Sequence, residues 1–502
     1  MDIILFERLA IPFPSSFEEK NNLIKCRMKC MLGILFFFFQ FNFCSAQPSQ
    51  IKRTWHWYFG NQAGIDFSSG TAVADTNGAL VTSEGCASIS DTAGNLQFYS
   101  DGRSVWNRNH QVMPNGTGIM GGANGSSSQQ ALIIPMPLSP NIYYLFTTDE
   151  SENFGANGMR FTVINMNLDG GLGDVDILQK NILLFTPCTE KLAAVNHCND
   201  TNVWVMGHEI NNNTFRAYLV TSNGINTNAV VSTVGTNMTG GDWYGQMKFS
   251  PNGMMLALGL DTILRKCEIY KFDSYTGQAS NPILLLDTII PLNSGAINVG
   301  ITFSPDNSKL YVGRIATATL IQFDVSQYDS VLILNSRQTI GSGIGFRTLQ
   351  NAPDGKIYVN SYISNPDTML SVINSPNLSG ASCNFSFNSF SLMNRNATSG
   401  LSESNESYYD VSSILGCNPT SLVEYNNSKF NLFPNPARDW IEVRGSGINE
   451  IALFDVLGNL CYKAAGSFTS PYLMDISNLS NGVYLLRLSS AKQFISKVFL
   501  KH

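Results

Sequence analysis

The chain has 502 residues, of which only 14% are charged, with 42 glycines and a formal net charge of −6. That length suggests more than one domain, and the low charge with many Asn, Ser and Thr residues speaks against a disordered or a helical chain. No basic patch of the kind a nucleic-acid binder carries is found, and no apolar run reaches the 18 or more residues of a spanning helix, so neither a nucleic-acid partner nor a transmembrane helix is predicted.

In chain order, the first feature is the apolar run Met31–Phe43 (MLGILFFFFQFNF), preceded by Lys25, Arg27 and Lys29 and followed by Cys44, Ser45, Ala46 and Gln47. A basic segment, a short apolar segment and small residues together make an export signal, with cleavage expected between Ala46 and Gln47. Residues 1–46 are read as a leader. Glu18, Glu19 and the prolines upstream do not suit such a signal, so translation is expected to start at Met28.

From Gln47 to Leu415 a short unit recurs. Its clearest copy is Phe303–Gly313 (FSPDNSKLYVG), which reads as the end of a strand, a tight turn and a second strand. Proline presets φ at the first central turn position, and Asp, Asn or Gly tolerates the backbone angles of the later turn positions. Close copies are Phe249–Gly253 (FSPNG) running into Met254–Leu260, and Ala352–Gly355 (APDG) running into Lys356–Ser361. Looser ones end at Leu96–Ser100, Ile142–Thr147 and Val203–His208, and Trp57–Gly60 (WYFG) echoes Leu310–Gly313 (LYVG). The interval of roughly 40–60 residues is that of blade-built repeats.

One full unit reads as four strands: Val299–Phe303, Lys309–Gly313, Thr319–Asp324 and Val331–Asn335. Four short antiparallel strands per repeat form one blade of a β-propeller. The predicted fold class is therefore all-β. A seven-bladed β-propeller spans 47–415, with six or eight blades as the alternatives; a linker at 416–428 and a small C-terminal β-sandwich at 429–502 complete the chain. The first unit lacks an inner strand, and Gly400–Asp410 (GLSESNESYYD) is predicted to supply one, completing a blade with Trp55–Ala74.

Several stretches resemble an exported propeller family of the Bacteroidota, often described as WD-like or YVTN-like. They are Trp57–Phe67 (WYFGNQAGIDF), Glu84–Asp91 (EGCASISD), Gly94–Gly102 (GNLQFYSDG), Val105–Gly116 (VWNRNHQVMPNG) and Leu168–Asp174 (LDGGLGD). One departure is Gly400–Glu403 (GLSE), where the family has Gly-Leu-Pro and an apolar run. The resemblance implies a surface protein of the gliding- or surface-associated kind.

The tail carries Phe430–Ala437 (FNLFPNPA), Ile451–Asn459 (IALFDVLGN) and Leu473–Arg487 (LMDISNLSNGVYLLR) in that order. It resembles the type A C-terminal sorting domain of the type IX secretion system. That resemblance implies Sec export, handling by the type IX machinery, removal of the tail, and a cargo that is secreted or held on the outer cell surface.

Motifs for chemistry are few. Gly116–Gly121 (GTGIMG) matches a dinucleotide fingerprint in letters, but the GANGSSS at 122–128 would not open a helix, so an inter-blade loop is expected. His208 and Glu209 begin like a zinc-peptidase motif, yet Asn212 stands where the second His must be. No G-x-S-x-G nucleophile elbow occurs. Asp169–Asp176 (DGGLGDVD) offers carboxylates to calcium, although a Gly-rich turn accounts for it without a metal; no other cofactor is indicated. The mature chain keeps Cys86, Cys188, Cys198, Cys267, Cys383, Cys417 and Cys461. An oxidising destination permits disulfides, Cys188–Cys198 first and Cys383–Cys417 second. Asp-Ser/Thr-apolar triplets beginning at Asp91, Asp261, Asp287, Asp329 and Asp367 resemble the Bacteroidota O-glycosylation acceptor.

The longer loops on one face of the ring are where binding is expected, because loops over a rigid scaffold usually carry function. The ligand-binding candidates on them are Glu152, His208, Glu209, Asp242, Trp243 and Arg314. No catalytic residue and no metal ligand is assigned. The leading reading is a non-enzymatic secreted or surface module that binds a glycan, peptide or protein. Its rivals are a lactonase- or lyase-type propeller enzyme with a metal or acidic site at the central channel, and a structural part of a surface or gliding assembly.

Overall fold

The computed structural model describes residues 50–260, 266–286, 300–315, 317–343, 345–362, 367–410, 431–444, 448–455, 459–466, 468–489 and 494–502. The leader with its Ala46–Gln47 cleavage site and the 416–428 linker lie outside them. The chain divides into two compact units, Met1–Cys417 and Asn418–His502.

Among the described residues the first unit holds seven sheets, each running antiparallel through consecutive strands. Sheet 1 has three strands, His56–Phe59, Ala63–Asp66 and Val73–Asp75. The first strands of the other six are Cys86–Ser90, Ala131–Pro135, Cys188–Asn196, Met247–Phe249, Ile301–Phe303 and Gly345–Asn351. The apolar runs of these strands have a simple cause: both faces of each sheet are covered. With a side-chain period of two, Ala131 and Ile133 face sheet 2 while Leu132 and Ile134 face sheet 4. Ala193 and Val195 likewise meet Met247 and Phe249 of sheet 5, and Ala257 and Ile269 of sheet 5 meet Ile301 and Phe303 of sheet 6. Sheets 6 and 7 share a core through Tyr311, Leu320, Phe346 and Ile357. The last shared core joins Tyr358 and Leu370 of sheet 7 to Trp57 and Phe59 of sheet 1 and to Cys86 and Tyr99 of sheet 2. The succession of cores thus returns to its start, a propeller-like closed circuit.

The recurring turn is closed in all three copies by backbone hydrogen bonds, Gly253 N to the Ser250 carbonyl, Asn307 N to the Ser304 carbonyl and Gly355 N to the Ala352 carbonyl, and two copies add a serine hydroxyl. Ser250 Oγ accepts from Met255 N at 2.9 Å, and Ser304 Oγ accepts from Lys309 N at the same distance. The residue that must turn left-handed is Gly253 (φ 71°) in one copy, Asn307 (φ 66°) in the next and Gly355 (φ 75°) in the third.

Four expectations need correction. Ser402–Glu403 does not complete the first sheet; it pairs in parallel with Cys86–Ser90 and makes sheet 2 five-stranded. Leu401 carbonyl meets Cys86 Sγ, Ser402 Oγ accepts from Ser88 N, and at Gly400 a Cβ would come within 2.0 Å of the Glu84 carbonyl. The returning segment is therefore seated on sheet 2, while its Asn61–Asn396 bridge and the Arg395 guanidinium, which donates to Gln62 Oε1 and the Thr76 carbonyl, tie it to the first sheet as well. Val331–Asn335 is no strand but part of the helix Ser330–Asn335, because Asp329 caps it by accepting from Val331 N and Leu332 N; the fourth strand is Gln338–Ser342. Cys188 is a buried free thiol, while Cys198 is disulfide-bonded, so the two are not paired with each other. The nine-residue strand Cys188–Asn196 lies between the two and separates them by ~30 Å, against the 4–7 Å a bridge needs. Cys383 is also free and buried, so the Cys383–Cys417 pair is not formed.

The second unit has a sheet of Asn431–Phe433, Trp440–Arg444 and Tyr472–Asp475, and another of Glu450–Phe454, Leu460–Ala465, Gly482–Ser489 and Phe494–Lys501. Ile441, Val443, Ile451, Leu453, Leu486 and Phe499 from both sheets form one core. Among the described residues no helix is long and apolar enough to cross a membrane.

Candidate functional site

Polar and charged residues interrupt the apolar pattern where the first strands begin, and these positions converge at the centre of the circuit. Deepest is a closed network. Lys248 Nζ lies 2.5 Å from Glu403 Oε2, 2.8 Å from Glu406 Oε1 and 2.6 Å from Gln350 Oε1. Gln246 Nε2 donates to the other oxygen of Glu403 at 2.8 Å. Burial opposes the charge on Lys248, but the two carboxylates beside it outweigh that and raise its pKa. The network draws the returning segment 402–409 onto the axis.

Beside it opens a cavity of about 350 Å³ lined by Glu84, Ser126, Ser128, Ser151, Glu152, Glu190, Tyr244, Gln246, Ile315, Arg347, Thr348 and Ser399. Every sheet from the second to the seventh, or the connection entering it, contributes to this wall. Larger depressions exist, such as one of about 670 Å³ along Asp91, Gln97, Arg108 and Asn141, but that is a groove between two neighbouring sheets. The axial cavity, by contrast, gathers side chains from six of the seven sheets or the connections entering them.

Among its carboxyls, Glu190 is held by neutral donors. Glu190 accepts from Ser128 N at 2.8 Å, Ser128 Oγ at 2.7 Å and Ser151 N at 2.8 Å. Burial raises the Glu190 pKa, and those hydrogen bonds work against the rise. Burial and the Glu190 carboxyl push Glu84 up to about 8, while Arg347 pulls it down. At neutral pH Glu84 is therefore largely protonated, able to donate as well as accept. The wall offers carboxyls, hydroxyls, an amide and a guanidinium, alongside a comparable share of apolar surface from Ile315, the Tyr244 ring and the carbon stems of the polar side chains.

The sequence-derived residues scatter around this cavity. Glu152 lines it. Trp243 precedes Tyr244 of the wall, donates from Nε1 to the Met238 carbonyl at 3.1 Å and meets Phe154 edge-on with centroids 6.1 Å apart. Asp242 is buried in the short helical turn Gly240–Trp243, and Arg314 is buried at the end of its strand, next to Ile315. His208 is fully buried in sheet 4, edge-on to Phe215, with Nδ1 donating to the Glu209 carbonyl at 2.6 Å. Burial lowers its pKa to about 3, so it is a neutral core histidine. Glu209 is taken up by Arg216 at 2.5 Å and Asn212 at 2.7 Å. Asp174 accepts from Asn115 and Asp176 caps the next turn at Leu178, and no cluster of three or more His, Cys, Asp or Glu able to hold a metal occurs among the described residues. Sequence reasoning missed Glu84, Glu190 and Arg347. A usable signal was present in the polar triplet Thr189–Lys191 (TEK) and in Gln246 and Lys248 on either side of Met247, polar residues at the start of strands that are otherwise apolar.

Residues 431–502 match the secretion system C-terminal sorting domain. The chain thus ends in a tail handled by the type IX secretion machinery, which delivers its cargo to the cell surface or outside the cell. No curated protein matches the chain. Among solved structures it is similar to a functionally unknown protein from Desulfotomaculum acetoxidans (11% identity, TM-score 0.34, covering 78% of this chain and 99% of that one). It is also similar to the periplasmic gluconolactonase PpgL of Pseudomonas aeruginosa (11%, 0.34, 71% and 99%) and to a chain of the nidogen/laminin complex (12%, 0.36, 69% and 97%). Likeness at that distance says nothing of function.

Proposed function

We propose that this protein is an exported binding module, a seven-bladed β-propeller over 47–415 whose ligand enters the axial cavity. Residues 416–428 serve as linker, and 429–502 fold as a β-sandwich sorting domain. The leader is removed between Ala46 and Gln47, and the mature chain is secreted or held on the outer surface. One observation carries the reading: a polar cavity built by six sheets in concert, whose carboxyls are met by serines and backbone amides. Convergent polar groups in a concave, preformed site are the usual mark of a binding site.

The test is equilibrium binding of the mature full-length chain to a panel of oligosaccharides and peptides, compared with Ser399→Trp. Ser399 is a half-buried wall residue, and an indole there fills the cavity without removing a charged group. Binding to wild type, lost at least tenfold in Ser399→Trp with an unchanged unfolding temperature, is the expected result. Equal binding by both chains moves the site elsewhere.

A second reading rests on the Glu84–Glu190 pair. Neighbouring carboxyls with raised pKa values are the pattern of acid–base catalysis. Turnover of a lactone such as glucono-1,5-lactone, abolished by Glu84→Gln, would favour an enzyme over a binder.

A further inference from the structure

We infer that the ligand of the axial cavity is a carbohydrate, with a sugar ring lying on the Phe154–Trp243 pair and its hydroxyls taken up by the cavity wall. This deepens the binding reading above and rests on it.

Phe154 is 69% exposed and sits at φ 55°, ψ 29°. The left-handed region suits Gly or Asn and is uncommon for a bulky side chain. Folding alone gives no reason for Phe at that point. Nor is the loop slack. Asp149 accepts from Asn153 Nδ2 and Asn157 N, both at 2.7 Å, and Glu150 accepts from Asn124 Nδ2 at 2.7 Å. At Gly155 a Cβ would come within 1.9 Å of the Cys188 carbonyl. The segment 149–157 is therefore pinned from both sides, and the ring it presents is held outward.

Trp243 approaches from the connection into sheet 5 and meets that ring at 6.1 Å. The chain neighbours of both rings, Ser151 and Glu152 on one side and Tyr244 on the other, are cavity wall. An aromatic rim therefore adjoins a pocket of hydroxyls, carboxyls, an amide and one guanidinium. The matching ligand has an apolar C–H face and an edge crowded with hydroxyls, and a pyranose ring has both. The volume, about 350 Å³, displaces roughly ten waters and admits one or two pyranose rings.

The experiment titrates the mature full-length chain with tetrasaccharides of glucose, mannose, galactose, xylose and N-acetylglucosamine, and in parallel with a panel of tetrapeptides. At least one tetrasaccharide is expected to bind, and Phe154→Gly to bind it at least tenfold more weakly. Because glycine adopts the left-handed region freely, the same variant should unfold at the same temperature or higher, which separates loss of the ring from loss of fold. A tetrasaccharide that binds Phe154→Gly as well as wild type overturns the inference. So does a panel in which only peptides bind, although peptide binding lost in Ser399→Trp would leave the binding-module reading intact. If neither panel binds, both fall.

Discussion

Two groups of carboxyls lie at the centre of this circuit, all buried except the half-buried Glu84, and they are satisfied in different ways. Glu403 and Glu406 close on a single ammonium, Lys248, and on the amides of Gln246 and Gln350. Glu190 faces hydroxyls, backbone amides and an open volume, and Glu84, half-buried beside it, faces Ser128 and the Arg347 guanidinium across the same volume. The first set joins strands from three sheets and holds the returning end of the chain. The second leaves polar groups turned toward space that a ligand can occupy. A buried charge paired by a counter-ion is architecture, whereas buried carboxyls beside a cavity are available for recognition.

Removing Lys248 should break the first set outright. Lys248→Met leaves two carboxylates buried without their cation, and a loss of roughly 3–5 kcal/mol is expected, read as the first transition in urea unfolding of the mature chain. A loss under about 1 kcal/mol would mean the network carries no such load.

The pH dependence should then separate the cavity from the core. His208 stays neutral in the fold down to about pH 3, against 6.5 when unfolded. Its contribution is complete above pH 6.5 and is lost as pH falls toward 3, by as much as ~4 kcal/mol. Glu84 runs the other way. Its folded pKa of about 8 lies above the unfolded 4.5, so its contribution is complete below pH 4.5 and is lost as pH rises toward 8. Unfolding temperature measured against pH should lose its acid limb between pH 6.5 and 3 in His208→Leu. Glu84→Gln should flatten the opposite slope between pH 4.5 and 8. An unchanged profile in either variant contradicts the assignment of that limb.

Much of the scaffold was legible because its determinants are local. The turn needs one fixed φ and one residue that tolerates the left-handed region, Pro305 and Asn307 in one copy and Pro353 and Gly355 in another, and a serine hydroxyl strengthens it at Ser304. Apolar strands followed from two covered faces. The helix Ser330–Asn335 was misread because Val331–Leu334 has the letters of a strand, while the deciding feature, the Asp329 cap, sits outside the run. The closing strand was misplaced because its seat depends on Glu84 and Ser88, more than three hundred residues earlier. The cavity was hardest to foresee. Glu84, Glu190 and Arg347 come together only through the closing of the circuit, and no spacing in the chain records it.

The most direct test of the axial cavity as the binding site is amide hydrogen exchange on the mature chain, with and without the tightest-binding probe of the panel. Protection is expected at 124–128, 149–158, 240–246 and 345–348, the segments that form the wall and its aromatic rim. Protection confined to the turns at the far ends of the strands, 250–255 and 304–309, or to the tail beyond 431, would contradict the account.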